Sequence, residues 1–141
     1  MEKYHLKDDI KVFGIEVKTF PSGIGEAFKT LAEMITEGYN RSYYGISQMS
    51  SEGIIYKAAA EENYEYEAEK YNCDRFMIEK GEYLIVTVKD WRKKIHSLKD
   101  VFTQIMHDNQ YDDTKPCVEW YKNDDEILCM VKCKNALTKE L

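Results

Sequence analysis

Glu119 lies in the segment Cys117-Val118-Glu119-Trp120-Tyr121. In a strand, alternation puts Cys117, Glu119 and Tyr121 on one face and Val118 and Trp120 on the other. A carboxylate among apolar and aromatic neighbours has two ordinary settings. It is either exposed on a wet sheet face, or buried against a partner, because burial alone costs several kcal/mol or drives protonation. A buried Glu119 could anchor a cation or a hydrogen-bond donor. With a neighbouring tyrosine it could also act as a general acid/base pair on a hydrolysable ligand.

The chain is rich in rings, with 11 Tyr, 5 Phe and 2 Trp. Tyr43, Tyr44, Tyr56, Tyr83, Trp91, Trp120 and Tyr121 all fall on or beside predicted strands. Singly, such residues pack a sheet. Together they suit an amphipathic pocket in which rings offer area and hydroxyls offer direction. A carboxylate among them suits an organic cation, with cation–π attraction of about 0.5–2 kcal/mol per ring. Glu119, Tyr121, Tyr44, Tyr56 and Trp91 are therefore the candidate ligand-binding residues.

Other chemistry is sparse. There is no HExxH, nucleophile elbow or phosphate-cradling loop, and Ser22-Gly23-Ile24-Gly25 lacks the lysine of one. His5, His96 and His107 form no evident triad or ligand pair. Cys129 and Cys133, four apart on one strand, make poor geometry for a tetrahedral metal. No metal or cofactor is expected.

The elements that must position these residues come in two sets. Sliding the chain along itself by 70 residues puts Phe13 on Tyr83, Ile15 on Ile85, Phe28 on Leu98, Leu31 on Val101 and Ile35 on Ile105. Residues 10–19 read as a strand. A helix follows, with Ser22 as N-cap, a face of Ile24, Phe28, Leu31 and Ile35, and Gly38 as its stop. Residues 43–49 and 54–61 form a hairpin whose second strand holds Ala58, Ala59 and Ala60. Three alanines suit close approach by a ligand or by a helix. After an acidic, tyrosine-rich connection at 61–70, the order repeats: a short strand at 75–79, a strand at 83–89, a helix capped by Asp90 with Ile95, Leu98, Phe102 and Ile105 on one face, and a hairpin at 117–121 and 127–133. The tail after Lys134 is expected to be loose.

This predicts an α+β fold. It consists of duplicated βαββ units with pseudo-twofold symmetry, a mainly antiparallel sheet and two helices on one face. The whole chain, 1–141, reads as one domain with halves at about 10–62 and 75–133, and a cleft at their seam is a natural ligand site.

Charge and composition narrow the function. A net charge of −6 disfavours nucleic acid as a direct partner, and the cluster Arg92, Lys93, Lys94 and Lys99 reads as a solvated helix face. No run approaches the roughly 18 apolar residues that span a membrane, and the first residues lack a signal-peptide core. Four cysteines without a CxxC suggest reduced thiols, hence a cytoplasmic protein.

Four segments resemble the GyrI-like small-molecule-binding family, also called the bacterial transcription activator effector-binding domain. They are Tyr44-Gly45-Ile46-Ser47, Tyr56-Lys57-Ala58-Ala59-Ala60-Glu61, Phe76-Met77-Ile78-Glu79-Lys80-Gly81-Glu82-Tyr83 and Glu119-Trp120-Tyr121. The resemblance spans residues 11–133. It implies two βαββ halves with a ligand cleft between them. It also implies that Glu119 matches the pocket glutamate that engages cationic aromatic ligands in multidrug-sensing regulators. Many members carry a Trp in the second helix where this chain has Leu98, with Trp91 instead at the helix start. Family regulators carry a DNA-binding domain, for which this chain has no room, so a stand-alone effector-binding domain is expected.

Three functions stay open. The first is binding of an aromatic or cationic organic molecule. The second, implied by the resemblance, is hydrolysis of reactive small molecules through Glu119. The third is a protein-interaction role, with a regulator or DNA gyrase as partner and the acidic stretch Glu65, Glu67 and Glu69 as the contact surface.

Overall fold

The computed structural model describes residues 1–35 and 41–134. Gly38 and the tail beyond Lys134 fall outside them. The elements run β1 (Glu2–Leu6), β2 (Ile10–Glu16), α1 (Ile24–Met34), β3 (Tyr43–Ser50), β4 (Gly53–Glu61), α2 (Glu67–Lys70), β5 (Asp74–Ile78), β6 (Gly81–Lys89), α3 (Leu98–Met106), β7 (Cys117–Tyr121) and β8 (Glu126–Lys132). Two 3-10 turns, Trp91–Lys93 and Ile95–Ser97, lead into α3. Among the described residues no helix is long and apolar enough to cross a membrane.

The strands form one antiparallel half-barrel sheet in the order β1-β6-β8-β7-β3-β4-β2-β5. The order is symmetric about the β7–β3 pair, where the two halves meet. Each N-terminal strand crosses to the other half: β1 pairs with β6, and β5 pairs with β2. β1 was not among the predicted strands, although Tyr4 and Leu6 alternate with polar residues there.

Both long helices cover one face of the sheet. Phe13, Leu31, Ile35 and Ala60 form one cluster on that face, and Leu84, Leu98, Ile105, Ile127 and Val131 another. Ala58 and Ala60 face α1, so close approach of a helix explains their small size. Ala59 points the other way, into a core of Val12, Tyr44, Ile46, Ile85, Val118 and Met130 inside the half-barrel.

Three local expectations are corrected. α1 is entered through Gly23 at φ 89 with no side-chain cap from Ser22. A Cβ at Gly23 would lie 2.5 Å from Thr19 Oγ1, so this left-handed position suits only glycine. The second helix begins at Leu98 and not at Asp90, which has φ 55, precedes a 3-10 turn and makes no side-chain capping hydrogen bond. Trp91 is tied to the β7–β8 turn instead: its backbone N–H donates to Asp125 O (3.4 Å) and its indole Nε1–H to Asn123 O (3.3 Å). Ile95 consequently sits in a 3-10 turn and is exposed.

The duplication also needs a shift of one residue. The burial pattern of 10–16 recurs at 81–87, one position beyond the 70-residue shift that matches the helices. Phe13 is thus equivalent to Leu84, not to Tyr83, which faces the other side of the sheet. In a strand a slip of one residue exchanges the faces.

Candidate functional site

The site forms where the halves join. β3 and β7 pair with Gly45 opposite Glu119 and Tyr43 opposite Tyr121. Carrying the corrected shift through the β2–β4, β6–β8, β3–β4 and β7–β8 ladders makes Gly45 and Glu119 equivalent by the pseudo-twofold as well. The axis therefore runs through this pair. One half supplies a carboxylate there, and the other supplies a residue with no side chain.

That missing side chain makes the space. A Cβ on Gly45 would collide with both Tyr56 Oη and Glu119 Oε1. Through the gap, the Tyr56 hydroxyl donates to Glu119 Oε1. The Tyr121 hydroxyl donates to the same oxygen at 3.1 Å, and the two phenolic oxygens are 3.5 Å apart. Among the described residues nothing donates to Oε2. One carboxylate oxygen is pinned and the other is left for a further partner.

Glu119 is half-buried by its own surface, yet protein surrounds its carboxylate closely. Desolvation raises its pKa above the ordinary 4.5, opposed by the hydrogen bonds from Tyr56 and Tyr121. Burial first, and then the Glu119 charge, raise Tyr56 and Tyr121 far above the usual phenol range, so both stay protonated donors. On the same face, burial and then Glu119 push the Cys129 thiol up to about 12, while burial chiefly takes Cys117 to about 11. Neither is a thiolate nucleophile at neutral pH.

The sign for stability follows from the raised carboxyl. The folded protein binds this proton more tightly than the unfolded chain. The Glu119 contribution is therefore fully present below the unfolded pKa and is lost as pH climbs through the folded one. Glu119→Gln should flatten that part of the profile and leave the melting temperature at neutral pH unchanged or higher. Melting curves between about pH 4 and pH 8 check this; a variant that melts several degrees lower at neutral pH would show that the ionised carboxylate stabilises the fold.

Further rings pack on the two phenols that hold the carboxylate. Phe20 stacks on Tyr56 with centroids 5.1 Å apart and planes 11° from parallel. Phe28 and Trp91 both meet Tyr121, at 5.0 and 5.2 Å. Phe28 also meets Tyr43 edge-on at 6.2 Å. Glu119, Tyr121, Tyr56 and Trp91 are thus brought together. Tyr44 is not, since strand alternation turns it to the opposite face, where it is buried and stacks on Trp120 at 6.2 Å. Sequence reasoning missed Phe20, Phe28 and Gly45. Phe28 was legible only as helix core, and nothing local marks Phe20.

The acidic stretch is not a uniform solvated surface. Glu67 is fully buried, with Oε1 2.6 Å from Arg41 Nη1 and accepting the Asn63 N–H at 2.8 Å. Glu69 pairs with Arg75 at 2.9 Å. Two of the three carboxylates offered as a protein-contact surface are therefore already engaged.

Two cavities lie away from Glu119. One of about 690 Å³ is lined by Lys11, Glu62, Tyr64, Tyr66, Arg75 and Phe76, among others. The other, about 310 Å³, lies on the opposite sheet face. Neither reaches Glu119, where the rings pack against one another.

No protein-family model matches the chain, and no curated protein matches its sequence. Solved structures do match its fold. An integron cassette protein from the mobile metagenome of Vibrio cholerae, VCH_CASS2, superposes with a TM-score of 0.71 at 13% identity, covering 94% of this chain and 95% of that one. SAV2435, solved bound to tetraphenylphosphonium, gives 0.62 at 14% identity, covering 94% of each chain. A hydrolase from Listeria innocua gives 0.60 at 10% identity, covering 94% of this chain and 90% of that one. These likenesses establish a shared α+β architecture.

Proposed function

We propose that this chain is a GyrI-like effector-binding domain of the kind found in transcription regulators, and that it takes an aromatic or cationic organic molecule at Glu119. The observation that carries the reading is the half-satisfied carboxylate at the seam: Oε1 holds two phenols, Oε2 holds nothing among the described residues, and further aromatic rings pack on those phenols. An ammonium or phosphonium there gains the carboxylate charge and the ring faces together. That SAV2435 was solved with tetraphenylphosphonium supports the ligand class. Since the rings pack together, entry of a bulky guest requires Phe28 and Trp91 to part.

Calorimetric titration with tetraphenylphosphonium tests the reading. Binding is expected, with Glu119→Gln weakening it about tenfold or more, as for loss of a desolvated ion pair. Equal affinity in both proteins would remove Glu119 from the site. Affinity should also rise with pH through the Glu119 titration, with a proton released on binding, because a cation favours the ionised form.

One observation favours a second reading. A carboxyl with a raised pKa beside a protonated tyrosine is suited to general acid/base work, and one structural neighbour is a hydrolase. Turnover separates the two. A product from a reactive electrophile that forms with the native protein and not with Glu119→Gln would establish catalysis; its absence leaves binding.

A further inference from the structure

The strands that carry Glu119 carry a second feature on their other face. Tyr56 is followed by Lys57, Glu119 is preceded by Val118, and Gly45 is followed by Ile46. By alternation Lys57, Val118 and Ile46 point into the half-barrel, where they line the 310 Å³ cavity with Phe76, Tyr83 and Lys132. That volume is at the lower end for small-molecule pockets, and barrel mouths are a usual place for them.

The floor is apolar: Ile46, Ile78, Val118 and Tyr83 are all buried. One wall is the loop at 112–116, held to β3 by Gln48 Nε2–H donating to Thr114 O at 3.3 Å. The rim is basic. Lys115 is neutralised by Glu79 at 2.8 Å. Lys57 and Lys132 form no ion pair among the described residues. Instead the Lys57 ammonium lies 4.5 Å from the centre of the Phe76 ring and that of Lys132 lies 6.0 Å from the centre of Tyr83. The Lys132 ammonium also occupies the space over Gly81, where a Cβ would lie 2.9 Å from it. Two other carboxylates lie near and are already engaged: Asp112 accepts two bonds from Thr114, and Asp9 accepts the Lys80 N–H at 2.8 Å; they offset part of the charge without pairing with either lysine.

A chain with net charge −6 thus presents, over an apolar, ring-lined hollow, two ammonium groups that no carboxylate among the described residues pairs directly. We infer that this cavity is a second binding site, for a small aromatic carboxylate whose rings enter the half-barrel and whose anion bridges Lys57 and Lys132. Its charge preference is opposite to that of the Glu119 site.

Titration of 15N-labelled protein with 2-naphthoate, and separately with 2-naphthylmethylammonium, tests this. Naphthoate should shift amide signals within 76–83 and 112–118 and, by those signals, should bind about tenfold or more tightly than the ammonium. The variant Lys57→Met/Lys132→Met should lose that preference. Comparable affinities of the two probes as read from the 76–83 and 112–118 signals, naphthoate shifts confined to other regions, or full naphthoate affinity in the double variant would overturn the assignment; shifts from the ammonium around Glu119 belong to the other site. Should the double variant not fold, the charge comparison on the native protein decides alone.

Discussion

Exchanging Glu67 for glutamine should cost about 3–5 kcal/mol of folding free energy, the range for breaking a buried ion pair from one side. Glu67 has no exposed surface, and the Arg41 side chain is 4% exposed. Glutamine still accepts the Asn63 N–H, but Arg41 keeps its charge in a setting built for a carboxylate. The pair connects α2 to the chain just before β3, and Arg41 Nη1 also donates to the Glu61 carbonyl at 3.1 Å. The loss therefore falls on the connection between the halves. Urea unfolding measures it. Replacing both partners by apolar residues, Arg41→Met with Glu67→Leu, should recover part of the loss, because no charge is left stranded. A Glu67→Gln protein as stable as the native one would show that the pair contributes nothing net.

Gly45→Ala should cost about 1–3 kcal/mol and abolish binding at Glu119. The new methyl competes for the space occupied by Tyr56 Oη and Glu119 Oε1. Tyr56 has little freedom to retreat, since it is 2% exposed and stacked under Phe20. The hydrogen bond between the halves then breaks, or the β3–β7 pair separates. Unfolding curves and tetraphenylphosphonium calorimetry on the same variant check both effects. Native stability with native affinity would mean that the glycine is incidental.

Much of this architecture was readable from residue spacing, because hydrophobic period and turn chemistry are local. The two βαββ units, the helices on one face and the alternation of Glu119 with Val118 and Trp120 all follow from period. What failed depends on partners distant in sequence. Tyr43 and Tyr44 look alike in the chain, yet register sends Tyr43 toward Phe28 and Tyr44 into the half-barrel. Asp90 has the type of a helix cap, but Trp91 is captured by the β7–β8 turn. The importance of Gly45 is invisible until β7 lies beside it, and Glu67 looks solvated until Arg41 arrives.

The exchange of N-terminal strands makes both edges of the sheet out of contacts distant in sequence. Leu6 pairs with Gly81 and Glu2 with Ile85, so the earliest strand finds its neighbour only after most of the chain exists. Contacts so far apart in sequence slow folding, and the β6 edge stays open to aggregation until β1 arrives. A polypeptide carrying only one unit would keep such an edge permanently, and two of them can satisfy each other by trading first strands. Fusion of such a homodimer into one chain would leave behind the symmetric strand order seen here, and would free one member of the axial pair to become glycine while the other became an acid.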